Sequence, residues 1–156
     1  MRRPLKKKHI IQPDLRYNST KIEKFINYIM EDGKKNIART IVYDALDVIK
    51  EKTKTDAPLE VFEKAIKNAG PTTEVRPRRV GGANYMVPRE VKTDRKETLA
   101  FRWIIEAAKN GKGRPMHQRI ADELVSASNN EGAAITKKLN THKMAEANKA
   151  FAHFAW

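Results

Sequence analysis

The strongest constraint on this fold is the place where its helical period fails. From Ser19 to Gly70, and again from Asp94 onward, apolar residues recur at helical spacing. From Thr72 to Val91 they do not, and that stretch holds Pro77, Pro88 and the pair Gly81-Gly82. A Gly-Gly pair between β-compatible runs signals a two-residue hairpin. Proline inside a strand would ordinarily argue against one. The register resolves the conflict. With Gly81 and Gly82 as the turn, Val80 and Ala83 form a hydrogen-bonded pair. Counting outward sets Pro77 opposite Met86 and Pro88 opposite Val75. Both prolines then fall at non-hydrogen-bonded positions, where the ladder loses no N–H.

The rest reads as helix. Ser19 or Thr20 caps a first helix whose stripe is Ile22, Phe25, Ile26, Ile29 and Met30, with Gly33 ending it. A second runs from about Lys35 to Lys52 with Ile37, Ile41, Ala45 and Val48 on one face. Asp56 and Pro58 start a third, striped by Leu59, Phe62, Ile66 and Ala69 and stopped by Gly70-Pro71. Asp94 caps a fourth, with Leu99, Trp103 and Ala107 on one face. Pro115 opens a fifth that frays at Asn129-Asn130, and an alanine-rich sixth runs from about Ala134 to His153. The expectation is a mainly α, single-domain bundle of about six helices over residues 1–156, with a protruding two-stranded hairpin arm (72–91) and a basic N-terminal tail (1–16) that is disordered until bound.

The charge is segregated. The net +13 comes from residues 1–30, at +6, and residues 70–119, at +7; the segments 31–69 and 120–156 are each neutral. Two separate basic regions point to a polyanionic partner. The tail supplies Arg2, Arg3, Lys6, Lys7 and Lys8. The hairpin register puts Glu74, Arg76, Arg78, Tyr85, Val87 and Arg89 on one face, with Arg79 near the tip. Arginine grips phosphate and stacks on bases, and Tyr85 offers a second stacking plane. That face is expected to meet RNA. The opposite face, Val75, Pro77, Met86 and Pro88, is expected to need apolar cover. Lys34 and Lys35 sit at a helix start, where the dipole disfavours cations and an external anion would help. Arg95, Arg102, Lys109, Lys112, Arg114 and Arg119 extend the basic surface beyond the arm.

Other chemistries lack their residues. No cysteine is present, which excludes disulfides and cysteine-ligated zinc. The four histidines have no metal-ligand spacing, and no cofactor loop or nucleophile–base set stands out. The expectation is therefore no cofactor, no metal and no catalysis. No apolar run approaches the roughly 20 residues needed to span a bilayer, and no membrane partner is expected. The helical stripes look sufficient to bury one another, so a free monomer is expected. The competing class is an architectural DNA-binding protein that uses the β-arm in the minor groove.

The run Glu74-Val75-Arg76-Pro77-Arg78-Arg79-Val80-Gly81-Gly82-Ala83-Asn84-Tyr85 resembles the hairpin signature of the bacterial-type small-subunit ribosomal protein S-seven family. Asp32-Gly33-Lys34-Lys35 with Ile41-Val42-Tyr43-Asp44-Ala45-Leu46 is similar to its first two helices, and Thr141-His142-Lys143-Met144-Ala145-Glu146-Ala147-Asn148-Lys149-Ala150-Phe151-Ala152-His153 to its last. Pro77 stands where the family commonly has Ser. The resemblance implies a structural constituent of the cytoplasmic ribosome that binds the 3′ major domain of 16S rRNA and nucleates assembly of the small-subunit head. It also implies neighbouring head proteins as partners and a place at the subunit interface. There Arg78, Arg79, Gly81, Gly82, Lys138, His142 and Lys143 would lie near exit-site tRNA and mRNA.

Overall fold

The computed structural model describes residues 10–154. The tail cations Arg2, Arg3, Lys6, Lys7 and Lys8 lie outside the described residues, as does Trp156. The chain's contacts group into two compact units, one up to Thr40 and one from Ile41.

In the first unit, a turn precedes α1 (Thr20–Ile29). The buried Asp14 carboxylate accepts the amides of Arg16 and Tyr17, both at 3.1 Å, and the Asn18 amide closes the loop onto the Asp14 carbonyl. Residues 14–19 are thus an organised Asx-type turn, a departure from the tail expected there. The stripe of α1 is buried as its spacing predicts: Ile22, Phe25, Ile26 and Ile29. Glu23 is buried beside them and pairs with Lys35.

Helix α2 (Lys35–Thr53) starts in the first unit and runs into the second. Its buried residues are Ala38, Val42, Ala45, Leu46 and Ile49, while Ile37 is 58 % exposed. The expected stripe is therefore one residue out of phase. Both stripes share Ala45 and both have helical period, so spacing alone does not choose between them.

The second unit continues with α3 (Pro58–Ala69), strands β1 (Thr73–Val80) and β2 (Ala83–Glu90), α4 (Thr93–Asn110), α5 (Met116–Ser128), α6 (Ala133–Ala147) and a 3-10 helix (Lys149–Phe154). Helix α3 packs on α4 and α5, and the Phe62 and Phe101 rings stack with centroids 6.4 Å apart. Trp103 is buried with Leu99, Ile104 and Ile105. Side chains finish helix ends that lack partners of their own. Asn68 donates to the last carbonyls of α5, Ala127 and Ser128, both at 3.0 Å, and Glu123 accepts the Ala134 amide at the start of α6.

Two boundaries differ from expectation. Helix α4 starts at Thr93 with Lys92 at its N-cap, so Asp94 lies in the first turn, where its charge still suits the dipole. Helix α6 ends at Ala147 rather than near His153. The Asn148 side chain bonds back to the Met144 carbonyl at 2.7 Å, and the chain tightens into the 3-10 helix.

Candidate nucleic-acid interface

Strands β1 and β2 pair antiparallel in the counted register: Val80 with Ala83, Arg78 with Tyr85, Pro77 with Met86, Val75 with Pro88. Gly81 and Gly82 have φ of +56° and +89°, the positive pair of a type I′ hairpin turn. At the open end the Val91 amide donates to the Thr72 carbonyl at 3.0 Å, which extends the ladder and confirms its phase.

The facing departs from the expected one, although Arg76 and Arg89 on the face expected to meet RNA are exposed. Val87, on the face expected to meet RNA, is 1 % exposed, whereas Met86, on the face expected to need cover, is 48 % exposed. The hairpin packs on α6 and the 3-10 helix, with Tyr85 and Arg78 of its arginine-bearing face turned to the latter. The Tyr85 ring sits 5.2 Å from both Phe151 and Phe154, and Arg78 donates to the Phe154 carbonyl at 3.0 Å. Tyr85 and Arg78 thus hold the chain's own C-terminal segment. The sequence hides this segment, because its aromatic residues read as the end of a continuous helix.

Glu74 organises the base of the arm. It is 9 % exposed, and its carboxylate takes Arg76 from the strand (Nε at 2.7 Å) and Arg95 from α4 (Nε at 3.3 Å). A buried acid needs such partners, and here it ties the arm to the body. Next to it, a hollow of about 260 Å³ is lined by Arg76, Pro77, Arg78, Val87 and Arg89. Arg79, Gly81, Gly82 and Arg89 are exposed.

At the foot of the arm, the Thr72 amide donates to His142 Nε2 at 3.0 Å, and Lys138 donates to the Asn68 carbonyl at 2.7 Å. Burial, then the charges of Lys138 and Lys96, hold the His142 pKa below the ordinary histidine value. Burial and Lys96 lower that of Lys138. Lys96 is absent from the sequence expectations, since nothing local joins α4 to residues far later in α6.

The remaining cations divide by what they touch. Arg119 reaches the carbonyls of Ala108 at 2.9 Å and Lys109 at 3.2 Å, and that of Gly111, so it closes the C-terminus of α4. Arg114 meets Asp122 at 2.7 Å, and Lys52 meets the same carboxylate. In the first unit, Lys35 finds its anion in Glu23, and Lys34 lies 3.8 Å from Asp32. Arg102, Lys109, Lys112 and Lys143 are exposed. Among the described residues, no cluster of three or more His, Asp or Glu could hold a metal ion, and no helix is long and apolar enough to cross a membrane.

Comparison with known proteins sets this chain among the ribosomal proteins. The family described as Ribosomal protein S7p/S5e matches residues 1–149. Small ribosomal subunit protein uS7 of Thermotoga maritima is 56 % identical over 156 residues, the whole of both chains. The uS7 proteins of Thermosipho africanus and Fervidobacterium nodosum are 55 % and 52 % identical, again over the full length of both chains. The chain belongs to the S7p/S5e family of ribosomal proteins. It is a structural component of the small ribosomal subunit, and its family is not one of enzymes.

Proposed function

We propose that the protein is a primary binder of 16S rRNA, that it grips the 3′ major domain and nucleates the subunit head, and that it acts by binding alone. Both units serve as one ribosomal-protein module, since the family match runs through both. The observation that carries the proposal is the joining of the arm to the last helix. Arg78 and Arg79 on the arm and Lys138, His142 and Lys143 on α6 belong to elements that pack on one another. Within the subunit this surface would meet exit-site tRNA and mRNA, beside neighbouring head proteins, while the free protein is a monomer. The exposed cations Arg79, Arg89, Lys112 and Lys143 are the proposed phosphate contacts of the second unit, and Lys34 that of the first.

Competition binding tests this. The purified protein is offered a folded head-domain RNA fragment, duplex DNA and unstructured RNA at one salt concentration. The head-domain fragment is expected to win. Equal affinity for all three would reduce the protein to a polycation, and preference for bent duplex would make it an architectural DNA binder.

A further inference from the structure

We propose that Lys96, Lys138 and His142 form a seat for one RNA backbone phosphate at the foot of the hairpin, and that His142 takes up a proton from solvent as the seat fills. The proposal rests on the RNA-binding function proposed above and names a site within it.

Three half-buried basic side chains converge here from two helices. Lys96 comes from α4, and its stem lies over Gly70, where an added Cβ would stand 2.6 Å from Lys96 Cγ. Lys138 comes from α6 and spends one donor on the Asn68 carbonyl, which leaves two. His142 stands one turn further along α6. Among the described residues no carboxylate pairs with any of the three. The charged groups acting on His142 are Lys138 from its own helix and Lys96 from α4, both cations. The junction of α3 and β1 faces it with the uncharged Thr72. Cations that are partly desolvated together raise one another's cost, and an outside anion removes that cost.

The hydrogen bond at Thr72 sets the protonation state. A ring nitrogen that accepts an amide N–H has its lone pair engaged, so Nε2 carries no proton in the free protein. A phosphate oxygen can replace Nε2 as the acceptor for the Thr72 amide. The freed Nε2 then binds a proton and donates it in a hydrogen bond to the same phosphate. A phosphodiester brings one negative charge and two free oxygens, enough to engage Lys96, Lys138, imidazolium and amide together. Burial and the two lysines already hold the His142 pKa low, and a bound anion reverses the sign of that local field. Arg79 and Arg89 are exposed on opposite faces of the arm that rises from this foot, so the arm carries further cations beside the seat.

The test is a histidine ring NMR titration of the full chain, alone, with inorganic phosphate and with the head-domain RNA fragment. The His142 signal is assigned by its loss in His142→Gln. In the RNA complex the His142 pKa is expected to rise by about one unit or more, so affinity strengthens up to about tenfold per unit of falling pH between the free and bound values. In Lys96→Gln, which keeps a stem over Gly70, that rise should shrink while the arm still binds RNA. If RNA binds and the His142 titration does not move, the seat is overturned and the RNA-binding proposal stands. If inorganic phosphate moves it and RNA does not, the RNA backbone is overturned as the ligand. If no RNA binds at all, the proposed function itself fails.

Discussion

Arg119 turns its guanidinium inward onto three carbonyls at the end of α4, while Arg89 stands in solvent opposite Glu74. From sequence the two have the same role, because an arginine beside a basic loop looks the same whether it faces RNA or a helix end. Arg119→Ala should therefore cost about 2 kcal/mol of stability, read from the urea midpoint, because charged hydrogen bonds to the last carbonyls of α4 are lost. It should leave the salt dependence of RNA binding unchanged. His142 gives a second residue-scale expectation. Folding holds the proton off this ring, so the unfolded chain binds it more readily. Stability of the free protein should then fall as pH drops below about 6.5, and level off once pH is below the folded-state value. Denaturation of wild type and His142→Gln across that window should show the variant without this component. Parallel profiles would contradict the Thr72–His142 bond as a proton-excluding contact.

For the hairpin as an element, the register is legible in the sequence and the facing is not. Register can be counted from Gly81-Gly82 and is limited by the two prolines, so residues alone determine it. Facing depends on what covers the ribbon, and the cover comes from residues 149–154, with Arg78 and Phe154 standing 76 positions apart. The alternation offers two faces, and the basic one is expected in solvent because arginine usually lies there. In the structure, Glu74 neutralises the base of that face, and Phe151 and Phe154 supply its apolar cover. Phe151→Ala with Phe154→Ala should remove about 1 kcal/mol per ring pair. Amide exchange should quicken in β2 around Tyr85 before it does in α3 or α5. Gly82→Val, which forces a branched residue to φ +89°, should cost about 1–2 kcal/mol and loosen the same amides from the tip.

Over the whole molecule, charge predicts the partner class better than it predicts which cations are free to reach that partner. Two basic segments are plain from composition, but within the second, Arg76, Arg95, Arg114 and Arg119 all hold intramolecular partners. Arg79→Ala with Arg89→Ala should flatten the plot of log affinity against log salt by about one unit for each phosphate no longer gripped. An unchanged slope would remove the arm from the phosphate-binding surface. Pro77 and Pro88 bear on the molecule before it meets RNA. At non-hydrogen-bonded positions of a two-stranded ribbon, amides point away from the partner strand. Pro77 deletes one such outward donor from β1, and Pro88 deletes one from β2. A third strand from another copy would meet a gap on either flank, beside the exposed Met86 that would otherwise invite it. The consequence is kinetic safety in the interval between synthesis and assembly: unassembled copies are kept from growing into sheets. Pro77→Val with Pro88→Val should aggregate faster on mild heating than the parent.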